Sequence, residues 1–434
     1  MRSYFQSFFV NWGRLTYRYR WLLIVVTMSV GFGLATQMGQ LTIDTSTEGL
    51  LQKNDPTLLN YNAFRAQFGR DGRIIIAIEP PQVFDLHFLE TLKSFHEELE
   101  SEVPKIQEVK SLINARNTRG EGDLLIVEDF LETFPVNQEE LELLKERALS
   151  NPLYRNIFIS PDASLTAVVI ETDTYSSVGR SEGLEELAEG FDSDSPSQGQ
   201  DPPPFITGVE SAAIIDAILE VTQRYEGPDF KIYMGGTTVV GQKMQEYISR
   251  DMRLFSGLSI GVIMVFLFVL FRRVSAMLLP LIVIVLSLTS TMGLMALSGE
   301  PITSTTQIIP CFLTAVGTSY AVHLLVVFYQ RFNATGDKEE SLVYAMGHSG
   351  VPILMTAITT IVGLMSFTAA SIRPIAMFGV FVPVGVLVTF LYCVVLLPAL
   401  LAVLPMRPKP GEVRLSKDNL LERFLLMCAR LAHR

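Results

Sequence analysis

Residues 254–298 read LFSGLSIGVIMVFLFVLF-RR-VSAMLLPLIVIVLSLTSTMGLMALS, two apolar runs broken only by Arg272 and Arg273. A bilayer core of about 30 Å needs a helix of about 20 apolar residues to cross it. Both runs meet that length, and the two arginines leave a turn at a membrane face. Working outward, four more runs qualify: Leu22–Gly39, Thr305–Tyr329, Val351–Ala370 and Ile375–Leu404. With Leu254–Phe271 and Val274–Ser298 they make six expected spans. The first could instead be a cleaved leader ending near Gly33-Leu34-Ala35, but its 18 residues exceed an ordinary signal-peptide core.

The charge is divided as sharply as the hydropathy. Of the net −11, residues 40–253 carry −20, from 38 acidic and 18 basic side chains, and the remainder carries +9. Arg14, Arg18 and Arg20 precede span 1, Arg272 and Arg273 follow span 2, Arg331 and Lys338 follow span 4, and Arg407 and Lys409 follow span 6. Lysine and arginine are retained on the cytoplasmic side. Both termini are therefore expected in the cytoplasm and residues 40–253 outside it; Arg373, in a short external link, is a dissenting vote. The basic residues hug the spans, so nothing suggests a nucleic-acid partner. Cys311, Cys393 and Cys428 all lie outside 40–253, which must be held by its core and not by disulfides.

The expected organisation is a basic amphipathic segment 1–21, span 1 over 22–39, an extracytoplasmic region 40–253, spans 2–6 over 254–404 and a cytoplasmic tail 405–434. Within 40–253, Arg73–Glu79 reads as a buried strand. Asp85–Val103 follows as a helix with Asp85 as N-cap, then Ile106–Ile113 as a strand and Asn137–Leu149 as a charged helix. Ile157–Ser160 and Leu165–Glu171 flank Pro-Asp-Ala as a hairpin. Ala212–Tyr225 is helical and Lys231–Met234 a strand. This β-α-β order predicts a ferredoxin-like α+β domain inserted between helices 1 and 2. Ser176–Pro204, rich in Ser, Gly, Asp, Gln and Pro, reads as a flexible loop, the alternative being an ordered acidic binding loop. Gly236–Arg253 is helix-compatible and runs into span 2. Finally, Ser7–Arg18 (SFFVNWGRLTYR) aligns with Arg423–Arg434 (RFLLMCARLAHR) at a constant offset of 416, as a duplicated unit would.

Four stretches carry a family resemblance: Gly235-Gly236-Thr237-Thr238 with Arg253, Ala315–His323 (AVGTSYAVH), Gly350–Thr360 (GVPILMTAITT) and Ile372–Gly379 (IRPIAMFG). In this order, with one span before and five after an external domain, the chain resembles the N-terminal half of a resistance-nodulation-division (RND) transporter. The branch resembled is that of hydrophobe and amphiphile movers, which includes MMPL-type and hopanoid transporters and is akin to Patched. The resemblance implies export of lipids or amphiphiles driven by the proton gradient, an inner-membrane location, and a partner in a second half-unit or another copy. It also implies Gly-x-Asp-Tyr in span 4. Here those positions read Gly317-Thr318-Ser319-Tyr320, so a serine that does not titrate stands where the proton-carrying Asp belongs.

His323 is then the titratable side chain nearest the middle of a span, Tyr and Cys aside. Ser319 and His323 are i and i+4, and Tyr320 and His323 i and i+3, which predicts one shared face turned to the bundle interior. Histidine changes charge near about pH 6.5. His323, with Ser319 and Tyr320, is the candidate for proton coupling; the other reading is a neutral histidine bonded between helices. Thr289, Ser290, Thr291, Gln307, Thr356, Thr359 and Thr360 read as helix-packing groups, and Pro280, Pro310, Pro352 and Pro383 as kinks. His87 and His96 share an external helix without an obvious third metal ligand. The chain has no Walker A loop, Gly-x-Ser-x-Gly, His-Glu-x-x-His or Cys-x-x-Cys, and no cofactor or enzyme is expected. A non-pumping lipid sensor or scaffold is the rival from another class, and an inactive fragment the third.

Overall fold

The computed structural model describes residues 2–68, 72–121, 124–173, 175–176, 206, 208–408 and 427. Most of the expected loop 176–204 and of the repeated tail segment 423–434 therefore lies outside the described residues. The chain divides into two compact units, one of residues 1–52 and 248–434 and one of 53–247.

In chain order, helices α1 (Arg2–Arg18) and α2 (Arg20–Ala35) lead to α3 (Pro56–Phe68), β1 (Arg73–Glu79), α4 (Leu86–Glu102) and β2 (Ile106–Lys110). Next come β3 (Arg116–Glu121), β4 (Leu124–Asp129), α5 (Gln138–Ser150), β5 (Thr166–Thr172), α6 (Gly208–Tyr225) and β6 (Lys231–Gly235). The long helices α7 (Thr237–Phe271), α8 (Val274–Leu297), α9 (Ile309–Thr335), α10 (Lys338–Met365) and α11 (Arg373–Val403) complete the order.

Among the described residues six helices are long and apolar enough to cross a membrane: α2 and α7 to α11. They outrun the apolar stretches. Helix α7 starts at Thr237, not 254, α10 at Lys338, not 351, and α9 continues to Thr335, not 329. Helix ends follow capping chemistry, whereas hydropathy marks only the part that meets lipid. Gly336 stops α9 in a left-handed conformation at φ 74°, and Asp337 opens α10 by accepting from the Glu339 and Glu340 amides. Pro310, expected as a kink, sits in the first turn of α9, where its missing N–H costs nothing, while Pro280, Pro352 and Pro383 lie inside helices.

Helices α8, α9 and α11 bury half or more of their apolar stretches within this chain; α2 and α7 bury almost none. Close helix approach depends on glycine. A Cβ built on Gly293 of α8 would lie 2.1 Å from the Leu34 carbonyl oxygen of α2. At one end of the bundle the strand-like stretch after α2 pairs with the α8–α9 link: Asp44 N–H donates to Ile302 O, and Ile302 N–H to Thr42 O, both at 2.8 Å. Arg373 meets Glu300 there at 2.6 Å, with both side chains about 15% exposed. Arg373, the dissenting vote on orientation, is thus paired with a carboxylate 73 residues away.

In the other unit, β1, β2, β5 and β6 form an antiparallel sheet of order β2-β5-β1-β6. Two β-α-β units, β1-α4-β2 and β5-α6-β6, interleave in it. Alternation along β1 turns Ile74, Ile76 and Ile78 to one face, all fully buried with Val168 and Ile170 of β5. Phe88, Leu92, Phe95 and Leu99 of α4 and Ile214, Ile218 and Val221 of α6 close over them. Each such side chain contributes roughly 1.5–3 kcal/mol by leaving water.

Some sequence expectations need correction in this unit. β2 ends at Lys110, because the Asn114 side chain accepts from Ser111 N–H and donates to Val109 O, turning the chain. The expected hairpin around Pro161 reduces to one bridge, Ile159 to Thr166, since Ser160, Asp162 and Ser164 bond among themselves. The β3–β4 hairpin and α3 have no counterpart in the expected elements.

Candidate functional site

Helix α9 carries the residues singled out in the sequence, and α8 and α11 fix its position. Gly317 lies where the three meet; a Cβ there would sit 3.0 Å from both Ile284 of α8 and Thr389 of α11. Thr318 is buried, and its hydroxyl donates to Thr314 O at 2.7 Å.

The shared face expected for Ser319, Tyr320 and His323 is not formed. Ser319 and His323, with Ala315 four residues before, are exposed along one edge of α9. Tyr320 is buried, at 1% exposed. A spacing of three residues leaves two side chains about 60° apart on a helix, and here the boundary between buried and open surface runs through that gap. Among the described residues the His323 imidazole makes no hydrogen bond or ion pair; only its backbone is held, by Ser349 Oγ–H donating to His323 O at 3.2 Å. The Tyr320 hydroxyl is buried and likewise has no hydrogen-bond partner among the described residues. His323 and Ser319 therefore form an open polar edge, and Tyr320 belongs to the interior.

The interior holds a polar seam that sequence reading caught only in part. Thr389 Oγ1 of α11 lies 3.2 Å from Ser287 Oγ of α8, while each of these hydroxyls also donates within its own helix, to Gly385 O at 2.7 Å and to Ile284 O at 2.9 Å; Tyr392 and Ser290 share a hydroxyl bond of 2.9 Å. All four are buried. Ser290 was read as a packing group, which fits its second bond, to Leu286 O at 2.7 Å; Ser287, Thr389 and Tyr392 were missed. A signal existed: hydroxyls three residues apart in one helix meet hydroxyls three apart in another. Thr291, Thr356 and Thr359 each return a bond to their own helix, as membrane Ser and Thr usually do.

The two histidines of α4 separate. His87 is exposed, and His96 is buried on the same helix, its Nδ1 3.0 Å from Ser111 Oγ and its Nε2 3.4 Å from Glu100. Burial lowers the His96 pKa, against the opposing pull of Glu100, Glu97 and Asp129.

With this geometry described, comparison with known proteins adds a family. A model of the MMPL family matches residues 207–425. A membrane protein of Methanocaldococcus jannaschii is 22% identical over 415 residues, which cover 92% of this chain and 94% of the relative. The hopanoid transporter HpnN of Rhodopseudomonas palustris is 30% identical over 123 residues, 28% of this chain and 14% of HpnN. The transport protein MmpL1 of Mycobacterium tuberculosis is 29% identical over 165 residues, 36% of this chain and 16% of MmpL1. The chain thus spans nearly all of the archaeal relative but only a small part of each of those two transporters. Together with the six apolar helices, the matches make it a multi-pass membrane protein.

Proposed function

We propose that this chain, which belongs to the MMPL family, is a transport unit for lipids or other hydrophobic and amphiphilic molecules. It works beside a second six-helix unit, from another chain or another copy, and draws on the proton gradient. Both termini face the cytoplasm of an inner membrane, and the β-α-β sheet unit is a ferredoxin-like domain outside it that forms part of the substrate route.

One observation carries the reading: the open edge Ala315, Ser319 and His323. A polar edge on a membrane helix is costly against lipid and calls for water or a partner helix. A second unit laid on this edge would enclose His323 in a polar seam. There an imidazole can take and release a proton, which Ser319, in the Asp position, cannot do. That same serine favours a second reading, a lipid sensor that does not pump.

Proteoliposomes holding the full chain, with an imposed pH gradient, test the two. Movement of a fluorescent fatty-acyl lipid should stop with a protonophore and fall at least tenfold in His323→Ala. Lipid that binds but does not move supports the sensor. Transport unaffected by both treatments removes His323 and the proton gradient from the mechanism.

A further inference from the structure

Helix α1 carries apolar side chains on two faces, and only one of them meets protein. Phe9 and Thr16 are buried, and Gly13 lies against Val343 and Met346 of α10. Trp12 Nε1–H donates to Val394 O of α11 at 3.2 Å. On the other side Tyr4, Phe8, Leu15 and Tyr19 are exposed, Tyr4 to 77%. Steps of four, seven and four residues keep these four on one stripe.

The stripe does not stop at the end of α1. Only Tyr19 separates α1 from α2; its backbone leaves helical geometry at φ −103° and ψ 22°, while bonds from Tyr19 N–H to Leu15 O at 2.9 Å and from Leu23 N–H to Tyr19 O at 3.0 Å tie the two helices together. Exposed Leu22 and Val26 of α2 carry the apolar surface onward along the membrane-spanning helix. The α1 stripe is therefore continuous with a surface that meets lipid.

Its charge is of one sign. No Asp or Glu precedes Asp44, while Arg2, Arg14, Arg18 and Arg20 do. Among the described residues Arg14, Arg18 and Arg20 form no ion pair. Arg14 lines a groove of about 490 Å³ with Asp337, Glu339 and Glu340 of α10, so those carboxylates offset part of its charge. Arg18 and Arg20 hold the surplus. Their guanidinium groups lie over the rings of Tyr19 at 5.6 Å and Tyr17 at 5.0 Å, a contact that orders the cation without cancelling it.

We infer that α1 is a membrane-surface helix that selects anionic phospholipid. The Tyr4, Phe8, Leu15 and Tyr19 stripe beds into the boundary between headgroups and acyl chains, and Arg14, Arg18 and Arg20 bind the headgroup anions. An apolar stripe edged by cations is the composition that holds a helix in the plane of an anionic interface. Guanidinium supplies forked donors suited to phosphate oxygens. The inference rests on the membrane-spanning bundle and not on transport.

The chain carries its own reporters. Trp12 and Trp21 are its only two tryptophans, and Trp21, 63% exposed, opens α2 beside this helix. The full chain is placed in mixed bilayers of phosphatidylcholine and a fixed fraction of phosphatidylglycerol, with the acyl chains of one lipid brominated at a time. Bromine quenches tryptophan on contact. At equal mole fraction, brominated phosphatidylglycerol should quench several-fold more than brominated phosphatidylcholine, and the excess should shrink as salt rises. Each arginine changed to glutamine should lower the preference by up to about fivefold. Losing three arginines can also disturb insertion, so the wild-type chain, with Trp12→Phe to isolate Trp21, decides the matter. Equal quenching by the two lipids at low salt overturns the inference. So does an anionic preference indifferent to salt.

Discussion

Gly293 is where the packing of the bundle is most exposed to a single change. A methyl added there would have its carbon 2.1 Å from Leu34 O and 2.7 Å from Leu34 C, both backbone atoms of α2. A carbon and a carbonyl oxygen come no closer than about 3.3 Å, so α2 and α8 must separate locally by roughly 1.2 Å. A radial gap of 0.5–1 Å already forfeits about a quarter to a half of each dispersion contact. Gly293→Ala is therefore expected to destabilise the bundle by about 1–3 kcal/mol, the usual cost of overpacking. Gly33→Ala, in α2 itself, is the control: its Cβ meets nothing within 4 Å. There, reduced backbone freedom in the unfolded state and better helix propensity should leave stability unchanged or raise it by up to about 1 kcal/mol. Unfolding in mixed micelles with rising dodecyl sulfate, followed by the fluorescence of Trp12 in α1 and Trp21 in α2, reads both variants. A Gly293→Ala chain as stable as wild type, or no less stable than Gly33→Ala, refutes the claim that α2 and α8 touch through this glycine.

Three further outcomes follow from the described contacts. The Arg373–Glu300 pair, largely out of solvent, should show a coupling of about 1 kcal/mol or more in a double-mutant cycle with alanine, against a few tenths for an exposed pair; additive single changes would contradict the pairing. Tyr392→Phe should cost about 1 kcal/mol by removing the hydroxyl bond to Ser290, whereas Tyr320→Phe, whose hydroxyl has no partner among the described residues, should be neutral or stabilising; equal effects would count against the seam. His96 has a folded-state pKa below its unfolded one, so the unfolded chain binds more protons. The stability this lends the sheet unit is complete above about pH 6.5 and is lost as pH falls below it. Protease cleavage within 86–113 should rise on acidification in wild type and change less in His96→Gln, and identical profiles would refute the linkage.

The six spans were legible because a bilayer imposes a length that few other structures need. Their ends were not, since Gly336 and Asp337 act through backbone geometry within a polar link. The alternating β1 and the periodic α4 were legible too, because one face of each is buried and the other is not. The hairpin β3–β4 escaped because Arg116-Asn117-Thr118-Arg119 has no apolar alternation; its pairing rests on backbone register and on polar contacts such as Asn117 Nδ2–H to Glu128 Oε1. In the candidate site, the residue types of α9 could be read, but their directions could not. Tyr320 and His323 stand three positions apart, and no feature of the local sequence says on which side of them the neighbouring helices lie.

That gap has a common physical cause. Lipid tails are as apolar as leucine, so hydropathy cannot tell a helix surrounded by protein from one surrounded by lipid. The apolar stretches of α7 and α11 are similar in hydropathy, yet most of that of α11 is buried in the chain and almost none of that of α7 is fully buried. Helix α11 has several small and hydroxyl side chains at points of contact, Gly385 beside Leu313 and Thr291, Thr389 on Ser287 and Tyr392 on Ser290, whereas α7 offers Ser259 on Cys311 of α9. Helix α7 has glycines as well, but Gly257 and Gly261 have nothing within 4 Å. A lone glycine therefore does not mark an interface. A hydroxyl whose partner lies on another helix does, because that pairing offsets a cost lipid cannot relieve. By the same logic Ser319 and His323, polar and without a side-chain partner among the described residues, would be costly against lipid and less so beside water or another helix.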